Sequence, residues 1–172
     1  MMTFCLSPNH IIATSSPAHP VGFSSASAFD QRCDTHWGSA SNLPWLQASL
    51  RLPLGVSFNI TAYSLSAIDL LPGVEFRSPR SWSVWCLNQQ LGLVMVDKQE
   101  NKSISATSQE CVSPLSITPP LLCDSVRFNF SHTPVLLTDV QLFGNFVHTA
   151  ECIDLPFTDA YGHNCNLYMS AN

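Results

Sequence analysis

Charge is scarce in this chain. Lys, Arg, Asp and Glu make up 11% of its 172 residues, about half the usual share. A helical bundle would need more of them on its outer faces, so the composition argues against one. Basic residues are the scarcest: seven Lys and Arg against twelve Asp and Glu give a net charge of −5. No basic stripe remains to neutralise phosphate, which excludes nucleic acid as an expected partner. Long hydrophobic runs are also missing. The longest, such as Leu91 to Val96, are far too short to span a bilayer, so no transmembrane segment is expected. Met1-Met2-Thr3-Phe4-Cys5-Leu6 has neither a basic n-region nor an apolar h-region, so no signal peptide is read there. Catalytic signatures are absent as well: no H-E-x-x-H or H-x-x-E-H, G-x-S-x-G, P-loop or G-x-G-x-x-G occurs. Six histidines are scattered, and no carboxylate pair suited to glycoside hydrolysis is evident. Cys33 and His36 imitate a nucleophile–base pair, but a disulfide or an inert core thiol is the stronger reading. The chain is expected not to be an enzyme.

What is present is apolar alternation. Hydrophobic residues reach 45%, enough for a core. Leu46, Ala48 and Leu50 alternate with Trp45, Gln47 and Ser49. The same period-two pattern recurs at Phe58–Tyr63, Trp82–Leu87, Val126–Phe130 and Val140–Phe143. Turn-rich stretches separate these strands, at Ser15–Ser27, Leu71–Ser81, Asp97–Gln109 and Ser131–Pro134. Many short strands with Pro- and Gly-bearing turns indicate an all-β antiparallel sandwich or jelly-roll barrel. Residues 1–9 read as a lead-in and 10–144 as the sandwich. Residues 145–172 lack alternation and read as a small cysteine-bearing appendage, similar to extracellular modules that close with a further cysteine downstream.

Seven cysteines without a Cys-x-x-Cys pair favour a disulfide framework over zinc, and hence a secreted or cell-surface protein. The odd count implies a free thiol or a partner outside the chain. Asn59, Asn101 and Asn129 open Asn-x-Ser/Thr acceptors, which carry little weight in a chain rich in Ser and Thr.

The order of features from Ile11 to Gly144 resembles the discoidin or coagulation-factor C-type (F5/8 type C) domain of the galactose-binding-like superfamily. Ala13-Thr14-Ser15-Ser16 stands for the family's "A-S-S". Ala28-Phe29-Asp30 with Thr35-His36-Trp37 stands for "A-F-D … T-x-W", and Trp45-Leu46-Gln47-Ala48-Ser49-Leu50 for "W-L-Q-V-D-L". Ser81-Trp82, Val126-Arg127-Phe128 and Thr138-Asp139-Val140-Gln141-Leu142-Phe143-Gly144 match the later strands. Each piece alone is weak; their order and spacing across the chain carry the resemblance. Gln31 replaces the usual Gly, Cys33 adds a cysteine to the turn, and Ser49 replaces a common Asp.

The resemblance implies several sites. The turn at Asp30 and Thr35, with Asp139 of the final strand, is a candidate calcium site, since oxygen ligands suit a hard cation; the alternative is that Asp30 simply caps its turn. Cys5 and Cys152 are placed to join the chain ends, although Cys152 lies eight residues beyond Gly144. Trp37, Trp45 and Trp82 are expected in the core with their indole N–H groups satisfied internally. Arg127 is expected to hydrogen-bond within its strand. The recognition surface is expected in two loops at one end of the barrel. His19, Phe23, Phe76 and Arg77 suit gripping a sugar, whereas Leu70 and Leu71 suit a membrane or a partner groove. The expected function is therefore non-enzymatic recognition of a glycan, membrane-surface or protein ligand, within a larger multidomain protein. The alternative is a structural subunit of a large intracellular assembly, such as a cilium, with no small-molecule ligand.

Overall fold

The computed structural model describes residues 4–17, 24–32, 35–53, 56–67, 78–88, 90–102, 104, 115–132 and 134–148. Eleven strands are found among them: β1 (Phe4–Cys5), β2 (Ile11–Ser15), β3 (Trp37–Ser39), β4 (Trp45–Leu50), β5 (Val56–Ser66), β6 (Trp82–Asn88), β7 (Gly92–Gln99), β8 (Leu115–Cys123), β9 (Ser125–Phe130), β10 (Val135–Leu137) and β11 (Asp139–His148). Helical structure among the described residues is limited to two 3-10 turns, Pro8–His10 and Ser25–Ala28. All pairings are antiparallel. A five-stranded sheet runs β2-β4-β9-β6-β7, a four-stranded sheet runs β1-β11-β5-β8, and β10 pairs with β3. The expected all-β sandwich is therefore the observed fold.

Alternation sets which side of each strand is buried. In the five-stranded sheet Leu46, Ala48, Val84, Cys86, Val126 and Phe128 point inward and are buried. They meet Phe58, Ile60, Tyr63, Val140 and Leu142 of the opposite sheet. Tyr63 ties the two layers together: its hydroxyl donates to Asp97 of β7 and accepts from Trp82 Nε1 of β6 at 2.9 Å. Burial, then the Asp97 hydrogen bond, push the phenol far above its ordinary pKa, so it stays a donor.

The sheets are also joined covalently. Cys86 of β6 and Cys123 of β8 form a disulfide with a Cα separation of 5.4 Å. Just beyond it the chain crosses between sheets at Asp124, whose N–H donates to Leu87 O at 2.8 Å.

Three differences from the sequence reading have local causes. β7 occupies Gly92–Gln99, so the turn expected from Asp97 begins after Gln99. β8 forms despite Pro119 and Pro120 because it is an edge strand, where a missing N–H is tolerated. β11 continues to His148, four residues past Gly144, with Phe146 packing edge-on against Phe58 at 5.4 Å between ring centres. Residues 149–172, including Cys152, lie outside the described residues.

Candidate functional site

The turn expected to hold a cation is built around Asp30. Its Oδ1 accepts from Arg32 N at 3.0 Å, the capping interaction of an Asx-turn. Thr35 Oγ1 lies 2.9 and 2.8 Å from the two Asp30 oxygens, 3.2 Å from Arg32 O and 3.4 Å from Ser27 O. One hydroxyl hydrogen cannot serve four acceptors. Gln31, where the family has Gly, keeps a left-handed backbone with φ of 58°. That conformation costs an ordinary residue about 1–2 kcal/mol, and the Gln31 amide offsets part of it by donating to Leu6 O at 3.3 Å.

Asp139 completes the group. It is buried, its Oδ2 accepts from Gln141 Nε2 at 2.7 Å, and its Oδ1 accepts no hydrogen bond of good geometry although the Val140 and Gln31 amides lie near. Burial holds its carboxyl above the usual carboxylate range; the Gln141 hydrogen bond opposes that shift and the negative charge of Asp30 adds to it. Asp30, Thr35 and Asp139 are thus brought together. Among the described residues no group of three or more His, Cys, Asp or Glu forms, so any cation here relies on hydroxyl and carbonyl oxygens as well as the two carboxylates.

The tryptophans divide. Trp37 and Trp82 are core, 0% and 3% exposed. Trp82 satisfies its N–H on Tyr63, but Trp37 Nε1 has no acceptor among the described residues, its ring packed against Phe130 at 5.8 Å. Trp45 is not core. It stands half-buried on the outer face of the five-stranded sheet with Arg127 stacked over it, the guanidinium carbon 4.4 Å from the ring centre. Its place in the alternation with Gln47 and Ser49 already put it on the polar side. Arg127 bonds within its own strand, Nε donating to Asn129 Oδ1 at 3.1 Å.

His19, Phe23, Leu70, Leu71, Phe76 and Arg77 lie outside the described residues, as does Cys33. One described flank of each of segments 18–23 and 68–77, Pro17 and Ser78–Arg80, is tied by hydrogen bonds into one rim. Ser39 Oγ donates to Pro17 O at 3.0 Å, Ser16 N to Trp45 O at 3.0 Å, and Phe130 N to Pro44 O at 3.0 Å. Ser131 Oγ then reaches Ser81 O at 3.0 Å, and Arg80 N donates to His132 Nε2 at 3.2 Å. Pro17 and the Ser78–Arg80 stretch therefore lie at the same end of the sandwich.

At that end lies an open cleft of about 510 Å³, lined by Ser81, Trp82, Ser83, Lys98, Gln99, Glu100, Asn101, Asn129, Phe130 and Ser131. Nothing in the sequence pattern marked it, because its groups come from three strands. Lys98 pairs with Glu100 at 2.5 Å at its exposed margin. Of the three glycosylation candidates, Asn59 and Asn129 are half-buried in strands, whereas Asn101 sits on an exposed turn. Cys5 is exposed on β1, in register with Phe143.

Neither family models nor curated proteins match the sequence. Solved structures do match the fold. The family 32 carbohydrate-binding module of Clostridium perfringens NanJ, in complex with galactose, matches with a TM-score of 0.65 at 9% identity, over 83% of this chain and 99% of that one. An F5/8 type C domain from Bacteroides fragilis matches with a TM-score of 0.65 at 12% identity, over 82% and 95%. A chitosan-binding module from a chitosanase/glucanase of Paenibacillus sp. matches with a TM-score of 0.56 at 19% identity, over 78% and 94%. The fold is that of the F5/8 type C domains and family 32 modules, and it occurs both in separate binding modules and within glycoside hydrolases.

Proposed function

We propose that this chain is a non-enzymatic recognition module, acting at the cell surface or outside the cell, that binds a glycan at the rim formed by Pro17, Ser78–Ser81 and Phe130–His132. The observation that carries this reading is the open cleft at that rim, whose lining includes the polar residues Ser81, Gln99, Asn101, Asn129 and Ser131. Such groups suit the alternating donors and acceptors of a sugar. Matching modules that bind galactose or chitosan support it, and the Cys86–Cys123 disulfide fits an oxidising compartment. The test is a glycan array followed by calorimetric titration with the full chain. Saturable binding is expected, lost when segments 18–23 and 68–77 are replaced by Gly-Ser stretches of equal length. Failure to bind any glycan overturns the reading. An assembly role would then stand, favoured by Leu87, Leu91, Leu93 and Met95, which are 42–63% exposed along the β6–β7 edge.

Asp30, Thr35 and Asp139 fit a hard divalent cation such as calcium: two carboxylates, one of them buried, and a hydroxyl crowded by four oxygens. Calcium would neutralise the two charges and pin the turn. Without it, ionising Asp139 costs stability in the folded state, because its folded pKa is raised. The metal-free protein therefore gains stability as pH falls from that raised pKa towards the unfolded value of about 3.9. At 100 times its Kd calcium is expected to add about 2.7 kcal/mol, raising Tm by about 5–10 °C. Asp139→Asn should raise the Tm of chelated protein and abolish the calcium response. Identical melting curves with calcium and with chelator would contradict the site.

A further inference from the structure

The outer face of the five-stranded sheet carries a feature that the rim site does not use. Cross-strand pairing places Gln47, Arg127 and Trp85 in one row, and Trp45, Asn129 and Ser83 in the next. Arg127 is held on two sides, stacked on Trp45 and bonded through Nε to Asn129. Trp85 stands beside it, its orientation fixed by an Nε1–H donated to Ser83 Oγ at 2.9 Å. Arg127 makes no ion pair among the described residues, and no Asp or Glu occupies either row. In a chain of net charge −5, a guanidinium is thus fixed in place with its two terminal amino groups left without an acceptor among the described residues. A planar, pre-oriented fork of this kind complements a carboxylate in two parallel hydrogen bonds. The neighbouring indole offers an apolar surface of the width of a pyranose ring, and Gln47, Asn129 and Ser83 offer partners for hydroxyls. Asn129 and Ser83 also line the rim cleft, so the two surfaces are continuous.

We infer that Arg127, flanked by Trp45 and Trp85, is a subsite for the carboxylate of an acidic sugar within a longer glycan. The inference rests on the glycan-binding reading above and specifies the ligand class. Its test is titration of the full chain, followed by calorimetry and by the indole N–H resonances of Trp45 and Trp85. The probes are tri-galacturonate and sialyllactose, each against its neutral methyl ester, and hexaglutamate. At least one acid is expected to bind about 10- to 100-fold tighter than its ester, as loss of a charge-assisted pair requires, and to shift both indole signals. Arg127→Gln should erase that preference, and Arg127→Lys should restore only part of it, while circular dichroism confirms that both variants are folded. Acids and esters that bind alike would overturn the subsite and leave glycan recognition standing. Hexaglutamate binding as tightly as the acids would assign the surface to an acidic peptide instead. No binding of any sugar would overturn both.

Discussion

Replacing Cys86 and Cys123 together with alanine is expected to cost about 4 kcal/mol. The disulfide closes a loop with a sequence separation of 37. Chain-entropy arithmetic for a loop of that length gives about 3.9 kcal/mol at 25 °C. It spans the two sheets where the chain crosses at Asp124, and both cysteines are buried, 0% and 2% exposed. Few charged groups and many short strands leave little to hold the layers in register once the link is cut. Urea unfolding of the oxidised protein and the double variant measures the difference. A loss below about 1 kcal/mol would show that packing alone fixes the sheets. The same linkage predicts that intact mass rises on reduction by at least the two hydrogens of this bond.

Gly144→Ala is expected to destabilise by about 3 kcal/mol or more, at the upper end of overpacking effects. The cause is a backbone approach rather than a backbone angle. β11 and β5 slip register between Phe143 and Gly144, and Thr61 bulges out with its hydroxyl on Phe143 O at 3.2 Å. A Cβ at position 144 would lie 2.2 Å from Asn59 O and 2.8 Å from Phe58 Cζ. β11 is central, held by β1 on its other side, so it cannot move away. Thermal unfolding checks this, and a Tm within about 1 °C of the parent would mean that the strands separate at the bulge.

How much of this was legible depends on how local each signal is. β4, β6 and β9 are each half-buried, so period-two alternation marked them almost to the residue. β7 escaped because Leu93 and Met95 on its outer side are as apolar as Val94 and Val96 beneath, which hides the period. β8 escaped because Pro119 and Pro120 interrupt the period-two alternation that marks a strand. The Cys86–Cys123 pairing joins strands whose contact depends on the closed sandwich, and no spacing rule reports that. Asp30 and Thr35 were readable as a turn motif, and Asp139 only through the resemblance, because it comes from the far end of the chain. The rim cleft and the cluster of Trp45, Arg127 and Trp85 were not legible at all. They exist only once β4, β6, β7 and β9 lie side by side.

Chemical-shift mapping of the full chain during titration with a bound oligosaccharide tests the central proposal most directly. Glycan recognition at the rim predicts saturable shifts centred on Ser81, Gln99, Asn101, Asn129 and Ser131 and on segments 18–23 and 68–77. Shifts confined to the β6–β7 edge, or no shifts with any oligosaccharide, would contradict it.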